Sequence, residues 1–269
     1  MPQHITSRHN PRVKAAAKLR TGRKRTSAER FLIDGPREIA RAIAAGVEIA
    51  EAFVCDELVD GDEAAAAVTA LRSATGEFAT VTPEVFEKLC FGQRGSGAVA
   101  VAVPPARSLA GLQLPPAPLV AVIEGVEKPG NVGAVLRSAD GAGVDAVVVA
   151  DPRTDLFNPQ TIRASLGTVF GRHVCTASAA DALAWLRTLN VPLLAARPDA
   201  TVLYTAVDYR RGAAIILGSE ATGLTDLWHA ADVTPVKLPM RGLADSLNVS
   251  ATAAVMFYEA ERQRAAHGQ

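Results

Sequence analysis

Continuous apolar runs set the rhythm of the chain's second half. "LVAVIEG" (119–125), "DAVVVAD" (145–151), "PLLAA" (192–196) and "AAIILGSE" (213–220) carry almost no polar residue in their centres, and "VTPVKLP" (233–239) is a weaker version. Uninterrupted Val, Ile, Leu and Ala are what strands buried on both faces of a parallel sheet need. Between them lie stretches of helical period, over 131–142, 158–170, 179–190, 222–229 and 246–265. The expected class is therefore α/β: a parallel sheet wrapped by helices, with ligands received at the carboxyl ends of its strands.

The first hundred residues alternate on a smaller scale. A basic helical stretch "NPRVKAAAKLR" is followed by the short apolar run "RFLIDG", and "PREIARAIAAG" opens on Pro and closes on Gly as a helix does. "IAEAFVC" and "EFATV" read as strands, "EAAAAVTALRSATG" as a helix, and "TPEVFEKLC" as a short helix opened by Thr and Pro. This predicts a smaller α/β domain over 1–103. Pro104, Pro105, Pro115, Pro116 and Pro118 then deny backbone donors, marking 104–118 as an extended connector ahead of the domain 119–269.

Length and composition agree with two domains: 269 residues, 49% hydrophobic, formal net charge zero. The charge is unevenly placed. Residues 1–30 hold nine bases against the single acid Glu29, a surplus of eight, and the rest of the chain is acidic by the same amount. A basic arm on an acidic body points to a polyanion, most simply nucleic acid, with Arg8, Arg12, Lys14, Lys18, Arg20, Arg23, Lys24 and Arg25 as candidate contacts; the alternative is a solvated, partly disordered tail. Cys55, Cys90 and Cys175 are far apart without CxxC spacing and read as buried small hydrophobes in a reducing compartment. The five histidines are scattered, so no metal site is expected. No run of about eighteen uncharged apolar residues occurs and no apolar segment follows the basic start, so a soluble, cytoplasmic protein without membrane association is expected.

Polar residues of the second half concentrate in three loops at strand ends. "EGVEKPGNVGAVLRSADGAG" (124–143) leaves a strand and enters a helix near Asn131, with Arg137 two turns in. It carries neither GxGxxG nor a Walker lysine, which argues against a dinucleotide or P-loop enzyme. Asn131 suits a cap and Gly133 a close packing point; Arg137 needs either a carboxylate partner or an anion. "IILGSEATGL" (215–224) ends a strand in Gly218, Ser219 and Glu220, with Gly223 giving backbone freedom. "LPMRGLADSLNVS" (238–250) crowds Asp245, Ser246, Asn248 and Ser250 at one helix start. The helix is expected to begin at Ser246, where Asp245 or Ser246 suffices as a cap, so Asn248 and Ser250 are redundant as caps and favour a ligand-binding role.

NxGxxxR (Asn131, Gly133, Arg137), LGSExxG (217–223) and LPM…SLNVS (238–240 and 246–250) resemble, in order and spacing, the three motifs of the SpoU (TrmH) family of RNA ribose methyltransferases in the SPOUT superfamily. The likeness covers 119–262. More loosely, "RHNPRVKAAAKLR", "FLIDGPREI" and "FGQRGSGAVAV" are similar to the ribosomal-protein-like substrate-binding domain of many members. The resemblance implies a C-terminal trefoil knot, a homodimer, S-adenosylmethionine as cofactor and methylation of a ribose 2′-hydroxyl. It implies catalytic roles for Arg137, Asn131, Glu220, Ser246 and Asn248. It implies cofactor contacts from Ala195, Ala196, Leu217, Gly218, Leu238, Met240, Ser246, Leu247 and Ala251. Members built this way commonly modify large-subunit (23S) ribosomal RNA, and some protect their hosts from ribosome-directed antibiotics. A transfer-RNA methyltransferase of the same family and a non-catalytic RNA-binding protein are the competing expectations.

Overall fold

The computed structural model describes residues 3–91, 96–171 and 173–266. Its strands, in chain order, are β1 (Gln3–Ile5), β2 (Phe31–Asp34), β3 (Ile49–Val54), β4 (Phe78–Val81), β5 (Ala98–Ala102), β6 (Leu119–Glu124), β7 (Ala146–Ala150), β8 (Val174–Ala177), β9 (Leu193–Ala196), β10 (Val202–Leu203), β11 (Ala213–Leu217) and β12 (Val233–Lys237). The helices are α1 (Pro11–Lys18), α2 (Gly22–Ala28), α3 (Pro36–Ala44), α4 (Gly61–Ala74), α5 (Pro83–Leu89), α6 (Pro129–Gly141), α7 (Pro159–Ala164), α8 (Ala179–Thr188) and α9 (Val249–Ala265). The chain forms two units, Met1–Ala106 with Phe157–Gly171, and Arg107–Leu156 with Arg172–Gln269.

The first unit is a mixed sheet in the order β1-β4-β3-β5-β2, with β5 antiparallel to both its neighbours. The basic arm is not a tail. It folds into α1 and α2, and Val13 and Ala16 of α1, with its C-cap Leu19, bury against Phe53, Val81 and Phe86. Segment 157–171, of which 158–170 has the period of one helix of the second domain, belongs here instead. Asn158 caps the short α7; Leu166 (φ +53°) and Gly167 (φ +83°) stop it. Phe157 and Phe170 then stack on Phe31, centroids 4.6 and 5.9 Å away, worth about 0.5–1.5 kcal/mol per pair beyond burial. Arg163 reaches Asp34 at 3.4 Å. Burial pushes the Asp34 carboxyl up to about 6, against the opposing pull of the Phe91 N–H and Arg163. Residues 92–95 of the "FGQRGSGAVAV" stretch lie outside the described residues.

The second unit is wholly parallel, in the order β10-β12-β9-β11-β6-β7-β8. Strand β11 lies between β6 and β9, so the chain re-enters the middle of the sheet after β7, β8 and β9 are laid down. Alternation divides each strand between two faces. Val120, Val122, Ala195 and Ile216 meet Ala182, Leu183 and Leu186 of α8 on one face. Ala121, Ile123, Ala196 and Leu217 look the other way, where α9 packs on both β11 and α6. The Pro-rich stretch is more than a connector, since Leu109, Leu112 and Leu114 pack against the α8 side of the core. The helix expected over 222–229 is a single tight turn, Asp226–His229, because Gly223 (φ +67°) closes a loop with Ser219 before it. All three cysteines are buried and free.

Candidate active site

A cavity of about 280 Å³ opens at the carboxyl ends of β9, β11 and β12. Its walls come from three strand ends and the loops that follow them: Ala196 closing β9 with Arg197 and Pro198, Leu217 closing β11 with 218–220, and Leu238, Met240 and 245–247 between β12 and α9, with Val249 and Thr252 of α9 closing one side. Face parity selects these residues. Ala196 and Leu217 stand on the α9 face of the sheet, whereas Ala195, one position earlier, is wholly buried on the α8 face and does not line the cavity. Ala251 is on the exposed side of α9 and does not line it either. Leu217, Gly218, Leu238, Met240, Ser246 and Leu247 all do.

The polar centre is Glu220. Its Oε2 accepts from Lys128 Nζ at 2.9 Å and its Oε1 from Asn131 Nδ2 at 3.0 Å and from Asn248 Nδ2. The Lys128 bond, followed by the Val249 N–H and Asn131, holds the Glu220 carboxyl below its usual range, so it is ionised at neutral pH. Lys128 is 73% exposed, so its ion pair is worth about 0–1 kcal/mol; the two amides, which reach Glu220 from separate helix starts, give the geometry its specificity. Gly218 permits the fold of this loop. A Cβ there would lie 2.3 Å from the Gly223 carbonyl carbon, and Ser219 and Gly223 exchange two backbone hydrogen bonds across the gap.

The third loop corrects the expected helix start. Helix α9 begins at Val249, and Asn248 is its N-cap, its Oδ1 accepting from the Ser250 N–H at 2.9 Å and from Ser250 Oγ at 2.6 Å. Asn248 is thus not a redundant cap. Its oxygen caps α9 while its amide binds Glu220. Ser246 stands before the helix, its Oγ donating to Asp245 Oδ1 at 3.0 Å on the cavity wall.

Arg137 is the main departure. It is exposed on α6 and absent from the cavity lining. Six residues separate it from Asn131, which turns it about 120° around the helix. Asn131 and Asn248 do not line the cavity either, but both bond to Glu220, which lines it together with Ser246, whereas Arg137 stands outside that group. It shares its side of α6 with Gly141, beside which lies the Tyr258 hydroxyl. Tyr258 and Val255 are 51% and 38% exposed on α9, so this face carries uncovered apolar surface, and Arg137 is exposed on the neighbouring α6.

The basic candidates separate into two groups. Lys14, Lys18, Arg20, Arg23 and Lys24 are exposed on or beside α1 and α2, as is Arg8, which pairs with Glu87 at 3.3 Å. Arg25 is 4% exposed and donates to the Leu19 carbonyl at 2.9 Å, so it is a structural residue and not a surface contact. Arg12 is half-buried between Glu51 and Glu77, which neutralise it, and also donates to the Gln3 amide oxygen. Two contributors were passed over in the sequence: Lys128, and Glu124, whose only signal is a carboxylate closing the apolar run of β6. Among the described residues there is no group of three or more His, Cys, Asp or Glu able to hold a metal, and no helix long and apolar enough to cross a membrane.

Comparison with known proteins gives a consistent pattern. The model of the SpoU rRNA Methylase family matches residues 118–258, and that of the MRM3-like substrate binding domain matches 10–100. The chain is 29% identical to the 23S rRNA (uridine(2479)-2′-O)-methyltransferase of Streptomyces viridochromogenes, over 97% of this chain and 93% of that protein. It is 28% identical to the 23S rRNA (guanosine(2553)-2′-O)-methyltransferase RlmP of Bacillus subtilis, over 95% and 98%. A crystal structure of an RNA 2′-O ribose methyltransferase superposes with TM-score 0.83 at 42% identity, over 98% of this chain and all of that one. The SpoU methyltransferase AviRb of Streptomyces viridochromogenes, in complex with AdoMet, does so with TM-score 0.85 at 26% identity, over 96% and 99%.

Proposed function

This chain belongs to the SpoU rRNA methylase family, and from that premise we propose that it transfers the methyl group of S-adenosylmethionine to a ribose 2′-hydroxyl of 23S ribosomal RNA in the cytoplasm. The observation that carries the reading is the convergence of Asn131, Glu220 and Asn248 beside a cavity at the strand ends. The donor set suits the cofactor. Leu217, Leu238 and Met240 offer apolar walls for an adenine, and Ser219, Glu220 and Asp245 a polar margin for a charged tail. Bound there, S-adenosylmethionine supplies a methyl group already activated on a sulfonium.

The chain's own residues then have to align and polarise the hydroxyl. Asn131, Ser246 and Asn248 orient it, and ionised Glu220 fixes both amides from behind. A guanidinium does not give up its proton near neutrality, so Arg137 holds the phosphate next to the target ribose and stabilises the alkoxide as it develops, the hydroxyl proton passing to solvent as the C–O bond forms and the methyl's bond to sulfur breaks. Because Arg137 lies off the cavity of its own chain, we read the active form as a homodimer joined over the α6–α9 face of Arg137, Val255 and Tyr258, with Arg137 of a second copy completing each site. The re-entry of β11 between β6 and β9 supports a trefoil knot in this passage. The exposed bases of α1 and α2 supply RNA affinity.

The test is methyl transfer from labelled S-adenosylmethionine to purified 23S and transfer RNA, with mapping of the modified nucleotide. Label at one 2′-oxygen of 23S RNA is expected. Transfer to transfer RNA alone moves the assignment within the family, and binding of RNA without transfer sinks the enzymatic reading.

A further inference from the structure

Glu124 is the last residue of β6, 2% exposed, and both its carboxylate oxygens are spent on one residue. Thr225 N–H donates to Oε2 at 2.9 Å and Thr225 Oγ to Oε1 at 2.8 Å, across a separation of 101 residues. Burying a carboxylate against two neutral donors is costly, and a purely apolar strand end would pack more cheaply. What the arrangement secures is the loop that carries Glu220.

That loop has two feet on the same strand. Leu217 of β11 pairs with Ile123 of β6, and eight residues later Thr225 is held by Glu124, the next residue of β6. Between the feet, the Ser219–Gly223 bridge and the Ser219 Oγ–Thr222 Oγ1 bond of 2.8 Å stiffen the excursion. At its apex Glu220 meets Asn131, which stands on the helix that leaves β6 itself. The contacts therefore form a closed circuit: β6, Glu124, Thr225, the loop, Glu220, Asn131, α6, and back to β6. We propose that Glu124 is a positioning residue for methyl transfer, setting the reach of Glu220 toward Asn131 and Asn248 from beneath by clamping Thr225. It does not itself line the cavity, and its carboxylate acts through Thr225 and the loop on Glu220. The proposal rests on the function proposed above.

A double-mutant cycle tests it. Thr225→Val removes one donor and leaves a buried oxygen of Glu124 unpartnered; Glu124→Asp draws the carboxylate back by about 1.5 Å, one C–C bond. Each is expected to lower the rate of methyl transfer at saturating cofactor by about ten- to a hundredfold, the scale on which displacements near 1 Å act. Combined with Glu220→Gln, neither is expected to slow transfer further, because the effect is already spent at Glu220. Glu124→Gln is expected to stay near wild type, since an amide can accept from the Thr225 N–H and donate to its hydroxyl. Losses that multiply in full with Glu220→Gln reveal general destabilisation and overturn the proposal, as does a wild-type rate in Thr225→Val. If Thr225→Val does not fold, Glu124→Asp carries the same cycle. The wild-type protein, assayed first, separates the two readings: no transfer by wild type overturns both, whereas transfer by wild type and by both variants alike overturns only the role of Glu124.

Discussion

Replacing Asn248 by Asp keeps one of this residue's two contacts and reverses the other. An Asp oxygen still accepts from the Ser250 N–H, Asp is a preferred N-cap, and the helix dipole favours its charge by about 0.3–1 kcal/mol. The donor toward Glu220, however, becomes a second carboxylate oxygen. Two such charges about 4 Å apart repel by about 4 kcal/mol at an effective dielectric constant of about 20. Glu220 is 28% exposed and its other oxygen is held by Lys128 at 2.9 Å, so solvent and the counter-charge cut this to about 1–2 kcal/mol. Net of the dipole gain, stability falls by about 1 kcal/mol, a shift in Tm of about 2–4 °C for a chain of this size. Activity is expected to fall further than stability does, because the amide that binds Glu220, and that we propose helps orient the hydroxyl, is lost outright. At least a tenfold drop in single-turnover methyl transfer is expected, with urea denaturation run alongside. Asn248→Ser, which caps without adding charge, should match wild-type stability within about 1 kcal/mol yet share the loss of transfer. A wild-type transfer rate in Asn248→Asp would refute the reasoning, since Glu220 would then need no donor from α9.

Arg137→Ala should abolish transfer while leaving binding of S-adenosylhomocysteine, measured by calorimetry, within about twofold of wild type, because Arg137 does not line the cavity. If the site is shared between copies, mixing Arg137→Ala with Glu220→Gln protein should restore part of the activity that each lacks alone; a mixture as inactive as its components would place all residues in one chain. Lys14→Ala with Lys18→Ala should weaken RNA binding and flatten the log–log dependence of affinity on salt by roughly two, whereas Arg25→Ala should lower stability by about 1–3 kcal/mol and leave that slope alone. Asp34 titrates at about 6 in the fold against 3.8 as a free group, so the folded state holds its proton more tightly and stability drains away as pH rises from about 4 to about 6. Relative to Asp34→Asn, wild type should lose about 3 kcal/mol across that range in urea titrations; a gap that does not change with pH would contradict the burial of this carboxyl.

The pattern of hydrophobic runs located β6, β7, β9 and β11 because a strand covered on both faces must be apolar at every position, a demand visible without any neighbour; β12, where Thr234 is exposed, gave only the weaker run. Short or half-exposed elements impose no such demand, and β1, β8 and β10 escaped notice for that reason; β5, although buried throughout, was missed because its Ala–Val run leads straight into the Pro-rich stretch. Segment 157–171 shows a different limit. Its period suits a helix, but its place in the first unit depends on Phe31 and Asp34, more than a hundred residues away. The loop 222–229 failed as a helix through one backbone event, the closure of Gly223 on Ser219.

The candidate site was legible to the extent that its residue types were improbable where they stood. Asn131, Glu220 and Asn248 are polar at strand ends in an apolar half-chain, and they are bonded to one another. Arg137 stood out for the same reason, yet its helix turns it away; residue type can announce a role, and only geometry tells which chain performs it. Glu124 lies at the opposite extreme. It closes a strand run as a charged residue commonly does, and its partner is 101 positions on. A cap, a motif or a charge cluster is written within a few residues of itself, whereas a clamp between two strand ends exists only after the sheet has brought β11 beside β6. The residues that touch a ligand are accordingly the ones a chain displays, and those that hold them in place are the ones that folding alone reveals.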